Sequence, residues 1–433
     1  MVSSAISPVD EGDRYFRLLL FARVLRSIGI GFSSLALPLY MTALGYTPVL
    51  IGVSFLLMTV LGSFLVFLWG PLGDKFGYAK VMILLEALFA TSALIFAFSP
   101  TAVLPVIVFA AVIGGYGGGG GGGLRGTFGP GITALVGYLW RGTEERIRRL
   151  GTITFVAGIS GTVGYALLYL QSVLSVRFGD IGAFKMVYFW TALTGLGALA
   201  LLCLIKEPKH AKRSAKVITR ESGTFVSKVA LSNVVNGFGI GLAIPLLPLW
   251  FGLAFSYNNA EISVIYVVSA VVGGIASYFS HEVSSRLGAI RSASAARGAS
   301  GILLVAMAFV PIGTVAALLY CLRAACGGVS APVRQAVTLG GVQETDLGAA
   351  SSLAGLAQRA SFTSSGLGGY LLSLYEGLPL EVGGLLQLAG GFLFFGLLRG
   401  SSARQESRTT LGSQYANRLD QSSDVRISSA LQS

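Results

Sequence analysis

Ionisable side chains are scarce in the apolar stretches of this chain, and those few are where any chemistry would have to happen. Arg125 and Arg323 lie deep in two such stretches, and Asn233 and Asn236 lie in a third. Glu86 stands a turn or two inside a fourth, and Glu282 stands beside His281 at the end of a fifth. A guanidinium offers a planar fork of donors suited to an anionic or polar organic group. Ionisable residues within apolar spans usually face a cavity and mark a path through it. Glu86, Glu282 and His281 are the groups there that could take up and release a proton. Covalent chemistry has no comparable support. The chain has two histidines, His210 and His281, and no nucleophile paired with a base. Cys321 and Cys326, five residues apart, read as small packing residues, so no enzyme, metal site or cofactor is expected.

The elements that must position these residues follow from composition. Of 433 residues 53% are hydrophobic and 12% charged, with a mean hydropathy of +0.74. Soluble domains carry about 25% charged residues, so the chain is expected to lie in a lipid bilayer. The apolar segments are long and lack the ten-residue alternation of membrane barrels, which predicts a helical bundle. At about 20 residues per crossing, spans are expected near 18–43, 48–70, 80–98, 103–139, 151–172 and 186–205, then near 226–253, 261–281, 293–310, 313–340, 349–374 and 381–398. Residues 1–17 are polar and the first apolar run is too long for a signal h-region, so no cleavable signal peptide is expected. The tail from 399 to 433 is rich in Ser, Arg and Gln and is expected to be disordered.

The net charge of +12 does not point to nucleic acid. Its basic residues concentrate in one set of short loops and ends: Arg14, Arg17, Lys75, Lys80, Arg141, Arg146, Arg148, Arg149, the 206–228 cluster, Arg286, Arg291 and Arg297. The opposite loops hold Arg177 and Lys185. The positive-inside rule then places both termini in the cytoplasm of a multi-pass cell-membrane protein. Arg23 and Arg26, near that end of the first span, are expected to snorkel to the interface.

Internal repetition divides the chain. Leu35–Ala36–Leu37–Pro38 returns as Leu242–Ala243–Ile244–Pro245 at an offset of 207. Asp74–Lys75–Phe76–Gly77 with Lys80 is echoed by Ser285–Arg286–Leu287–Gly288 with Arg291 at 211, Pro100 by Pro311 at 211, and Arg125 by Arg323 at 198. The first half therefore holds 13 extra residues (211 minus 198) between Pro100 and Arg125, where the seven glycines Gly117–Gly123 fall. Glycine weakens a helix by about 0.8–1.0 kcal/mol relative to Ala, so that run is expected to be a close-packing surface or an unwound stretch. It lacks the Lys-Ser or Lys-Thr of a phosphate-cradling loop.

The break at Gly70, Asp74, Lys75, Gly77 and Lys80 has the spacing G-x-x-x-D-[RK]-x-G-x-x-[RK] and resembles the signature loop of the major facilitator superfamily, with Tyr78 and Ala79 where basic residues are common. Arg125–Gly126–Thr127–Phe128–Gly129–Pro130–Gly131 resembles a second motif of that family, with Phe128 where glutamine is usual. Arg141–Gly142–Thr143–Glu144–Glu145–Arg146 resembles its charged link between helices 4 and 5. The resemblance implies an all-α membrane protein of twelve transmembrane helices in two pseudo-symmetric six-helix bundles. The boundaries expected are 1–205 and 226–398 for the bundles, 206–225 for a basic cytoplasmic linker and 399–433 for the tail.

The same resemblance implies a monomeric secondary transporter that moves a small-molecule substrate by alternating access, through a cavity lined by helices 1, 4, 7 and 10. Arg125, Arg323, Asn233 and Asn236 are the cavity candidates, and the cargo is read as an anionic or polar metabolite. Protons are candidate co-substrates through Glu86 or Glu282. Gly70, Asp74, Lys75, Gly77, Lys80, Glu144 and Glu145, with the second-half echo Arg286, Gly288 and Arg291, are read as a conformational latch. Asp74 would accept hydrogen bonds at the start of helix 11 near Gly348, Ser351 and Ser352, and the lysines would pair with Glu144 or Glu145. Two other readings remain open: a proton-coupled multidrug efflux pump, and a transporter-like receptor without flux. Arg334 and Arg359 are further candidates by position alone.

Overall fold

The first apolar run needs one long helix and receives it. α1 spans Pro8–Ala43, and its 36 residues reach about 54 Å, well beyond a hydrocarbon core of about 30 Å. The computed structural model describes residues 8–99, 103–116, 132, 143–205, 220–340 and 361–399, and every regular element among them is helical. α2 (Pro48–Phe76), α3 (Tyr78–Phe98) and α4 (Leu104–Gly114) follow. The run Thr143–Cys203 is broken at Gly179 (φ 70°, ψ 164°) into α5 (143–178) and α6 (180–203). In the second half α7 (Arg220–Ala243) passes through a 3-10 turn, Ile244–Leu246, into α8 (Leu247–Phe255). Then come α9 (Asn259–Tyr278), α10 (Ser280–Leu287), α11 (Ala289–Phe309) and α12 (Gly313–Gly340). A 3-10 turn at Ser361–Ser364 leads into α13 (Ser365–Leu374), and α14 is Leu378–Arg399.

Ten of the twelve expected spans are present among the described residues, with α7 and α8 together forming the seventh. The fourth is represented by α4 and Ile132, and the eleventh by its second half. Lipid-facing positions carry large apolar side chains such as Phe64, Phe155 and Phe392, each more than half exposed on the protein surface. That is the surface hydrocarbon requires.

Both breaks that the repeat pairs are tighter than an open loop. α2 continues to Phe76, so Gly70, Asp74 and Lys75 belong to its last turns and Lys80 to the first turn of α3. A single residue, Gly77 at φ 99° and ψ 139°, separates the two helices. Gly288 at φ 80° and ψ 145° separates α10 from α11 in the same way. L side chains avoid that region, whereas glycine enters it freely. The expected helix end at 70 is therefore corrected to 76. The proline echo is looser: Pro38 lies within continuous α1, whereas Pro245 coincides with the 3-10 turn between α7 and α8.

At the end of the bundle remote from the termini, termed the distal end, both halves contribute to one apolar core. Tyr40, Phe96 and Phe184 from the first half join Leu247, Trp250 and Phe251 from the second. At the end carrying the termini, the described core residues form two separate clusters. One is built from Tyr15, Phe16, Leu19, Met82 and Leu202, the other from Val229, Ile290, Val333, Phe394 and Leu398.

Candidate functional site

Among the described residues, two side-chain hydrogen bonds join the halves at the distal end, both between α5 and α9. Asn259 Nδ2 donates to Gln171 Oε1 at 2.8 Å, and Ser263 Oγ donates to the carbonyl of Tyr165 at 2.8 Å. Gln171 is fully buried, and its own Nε2 donates to the Asp180 carbonyl across the break at Gly179 (3.3 Å). The start of α9 is fixed by a capping box in which Asn258 and Glu261 exchange side-chain to backbone bonds of 2.8 and 3.0 Å. Alongside, α2 and α13 meet backbone to backbone: a Cβ on Gly52 would come within 2.7 Å of Gly369 Cα. Only glycine allows that approach.

Inside the first half, Arg26 and Glu86 form an ion pair at 2.6 Å, with 2% and 0% of their side-chain surface exposed. The Arg26 guanidinium also lies over the Phe89 ring, 4.8 Å from its centroid. Arg23 is 2% exposed and close enough to interact electrostatically with both. The snorkelling expected of Arg23 and Arg26 is thus corrected. Glu86 lies eight residues into α3, about 12 Å along it, and its charge draws the two arginines inward instead of letting them reach the interface.

The second half holds a transposed version of this pair. Asn233 stands 207 residues after Arg26, and Arg297 stands 211 after Glu86, the two offsets of the repeat. Arg297 Nη2 donates to Asn233 Oδ1 at 2.5 Å and Nη1 to Ser232 Oγ at 3.2 Å, with the guanidinium 4.9 Å from the Phe394 ring centroid. The cation has moved from the first helix of the repeat to the third, and a neutral amide has replaced the carboxylate. Asn233 therefore joins α7 to α11. Asn236 is 5% exposed and packs against Gly390 of α14. Both asparagines face the interior of the second bundle in this state, because α11 and α14 cover the sides on which they point.

Arg323 has a different environment. It lies ten residues into α12, about 15 Å from the distal end and near mid-membrane. Its Nη2 donates to Gln387 Oε1 of α14 at a long 3.4 Å, and Ser300 of α11 donates to the same oxygen at 3.3 Å. Tyr320, one turn earlier on α12, and Tyr266 of α9 pack beside it as tilted rings with centroids 5.1 Å apart. Tyr165 of α5 lies 5.8 Å from Tyr266, bringing the first half into contact with this group.

Arg125, the repeat partner of Arg323, falls outside the described residues, as do Gly117–Gly123, Arg141, Arg359, most of the basic linker, the start of helix 11 and the tail. The side chains of Gly70, Asp74, Glu144 and Glu145 also fall outside them. Of the remaining latch candidates, Lys75, Lys80 and Arg291 are exposed at the terminal end, with Lys75 Nζ 5.2 Å from the Phe76 ring centroid. Arg286 is engaged by Glu282 in an exposed i, i+4 pair at 2.6 Å, which places Glu282 at the surface. Arg149 bonds Asp13 at 2.5 Å and lies over Phe16, fastening α5 to the start of α1.

Gln171, Asn259, Tyr165, Tyr266 and Gln387 were not singled out from sequence. Polar residues opposed across two halves have no local spacing to reveal them. The Asn233–Arg297 pair did have a signal, since adding the repeat offsets to Arg26 and Glu86 points to it directly.

A two-fold repeated bundle of membrane-spanning helices, sealed at one end by both halves and carrying buried charge, defines a polytopic membrane protein. Residues 19–227 match the family model of the Major Facilitator Superfamily. That match covers 209 of the 433 residues, the first of the two halves. The fold is similar to a D-xylose-proton symporter, at 13% identity and a TM-score of 0.69, covering 90% of this chain and 98% of that one. It is similar to the xylose transporter XylE from E. coli in an inward open conformation (13% identity, TM-score 0.68, covering 89% and 96%). It is also similar to the nucleoside transporter NupG (14% identity, TM-score 0.67, covering 89% and 99%). At these identities the likeness is one of fold. No curated protein matches the chain by sequence.

Proposed function

We propose that the protein moves a small organic solute, anionic or polar in character, across the cell membrane by rocking its two halves about a central site. The observation that carries this reading is the pattern of cores: one shared by both halves at the distal end, and separate ones at the terminal end. Such a structure is closed on one side and, among the described residues, has no apolar core shared by the halves on the other, as an alternating carrier requires. With both termini and the 206–225 linker in the cytoplasm, this state faces inward. The units that rock are 1–205 and 226–398, and the protein acts as a monomer.

Arg323, with Arg125 as its repeat partner, supplies the charge that selects the cargo. In the opposite state Asp74, Lys75 and Lys80 act as a latch with Glu144 and Glu145 and the start of helix 11. Only the first half has an acid at this position, because Ser285 replaces it in the second. Asp74→Asn should raise thiol labelling from the cytoplasmic side, and unchanged labelling would remove the latch.

A proton-coupled multidrug pump is the second reading. The feature that favours it is Glu86, a carboxylate buried within a span whose Oε1 has no hydrogen-bond partner. Flux into proteoliposomes, measured with radiolabelled organic anions and lipophilic cations, tests both. Anion flux supports the first reading, cation flux that collapses with the proton gradient supports the second, and flux of neither class contradicts transport.

A further inference from the structure

We propose that Arg323 and Gln387 form a binding site for the carboxylate of a flat organic anion, with Tyr266, Tyr320 and Tyr165 walling its apolar body. The inference rests on the transporter reading and supplies its substrate chemistry.

The first support is charge. Among the described residues from 226 to 399, the four carboxylates Glu261, Glu282, Glu376 and Glu381 lie between spans or no deeper than a first turn. Arg297 and Arg323 are thus buried in the membrane with no acid of the described second half at their depth. Burying an uncompensated charge is costly, and such a residue normally finds a counter-charge. Arg297 is held by two hydrogen bonds, to an amide and a hydroxyl. Arg323 has a single long bond and no carboxylate partner among the described residues.

The second support is the set of unused polar atoms. Arg323 Nε and Gln387 Nε2 are both buried without a hydrogen-bond partner. Gln387 is 2% exposed, and the Tyr266 hydroxyl is engaged by that of Tyr320. Buried polar atoms in folded proteins are nearly always bonded, so two in one neighbourhood mark a place for a ligand. Both can donate, whereas Gln387 Oε1 already receives Arg323 and Ser300. A site of donors around a guanidinium selects an anion, and the planar fork suits a carboxylate. A lipophilic cation would be repelled.

The walls define the rest of the molecule. Tyr266 and Tyr320 present rings 5.1 Å apart and inclined at 48°, and Tyr165 closes from the first half at 5.8 Å. Aromatic walls favour a flat apolar body. The site also connects to the inter-half contact. Ser263, one turn before Tyr266 on α9, donates to the Tyr165 carbonyl, so occupancy acts on the helix that clasps the two halves.

The test uses the purified full-length protein in detergent, with benzoate, benzamide and benzylammonium as probes in calorimetric titration. Benzoate should bind at least about tenfold more tightly than either analogue. Loss of a charge-assisted bond in Arg323→Gln should weaken benzoate about 10- to 150-fold, with partial recovery in Arg323→Lys. Gln387→Leu should weaken it by a smaller factor. Without ligand, Arg323→Gln should melt no lower than wild type, since it removes an uncompensated charge. Benzamide binding equal to benzoate, benzoate affinity unchanged in Arg323→Gln, or no benzoate binding to wild type overturns the site. Should lipophilic cations cross proteoliposome membranes while benzoate fails to bind, the site falls and transport stands. Absence of flux for every class overturns the transport reading instead.

Discussion

Removing the two side chains that clasp the halves should open the distal end by a calculable amount. Asn259→Ala deletes the bond to Gln171 and Ser263→Ala deletes the bond to the Tyr165 carbonyl. Neither substitution overfills the core. A typical intramolecular hydrogen bond contributes about 0.5–1.5 kcal/mol net, so the pair contributes about 1–3 kcal/mol to the closed state. That corresponds to about a 5- to 150-fold rise in the population open at the distal end. A suitable reporter is Leu168→Cys, placed where the side chain is fully buried in the shared core, on a background with Cys203, Cys321 and Cys326 replaced by Ser. Labelling by a membrane-impermeant maleimide should accelerate by that factor when opening is fast relative to labelling. An unchanged labelling rate in the double variant would refute the clasp.

Three further outcomes follow from the buried charges and the repeat. Glu86→Gln leaves Arg23 and Arg26 buried without their shared carboxylate, and unfolding stability in detergent should fall by about 3–5 kcal/mol. Flux that survives both this substitution and a collapsed proton gradient would exclude Glu86 from coupling. Asn233→Asp gives Arg297 the carboxylate that its counterpart in the first half enjoys, and should raise stability by up to about 1.5 kcal/mol, the spread among hydrogen bonds to charged groups, as a guanidinium–amide bond becomes an ion pair; a lower stability would contradict the transposed pairing. Gly52→Val, placed where α2 meets the Gly369 backbone, should weaken distal closure and raise Leu168→Cys labelling, whereas normal closure would show that the two backbones do not meet as described.

Sequence revealed the architecture because hydrocarbon imposes it: apolar length sets the spans, and the offsets of 207 and 211 set the halves. Gly77 and Gly288 show how far that symmetry extends, since both adopt the same left-handed extended backbone. Helix ends were less legible. The polar sequence Gly70–Phe76 looks like a loop, yet remains helical because Lys75 and its neighbours can extend past the membrane surface. The roles of the charged residues were least legible. Arg23 and Arg26 have the sequence position of interfacial residues, and only the approach of α3, carrying Glu86, draws them inward. Asn233 looked like a cavity residue until α11 brought Arg297 to it. Gln387 and Tyr266 acquire meaning only from Arg323, on a helix distant in sequence.

Alternation of the two halves is tested most directly by paired distances. Spin labels at Lys80→Cys and Arg291→Cys, exposed and 211 residues apart at matching positions of the repeat, report on the terminal end. Labels at Thr42→Cys and Ser256→Cys, both exposed, report on the distal end. Adding Asn259→Ala and Ser263→Ala should create a longer distal distance together with a shorter terminal one, in equal proportions. A single unchanged distance at each end, or both distances lengthening together, would contradict alternating access.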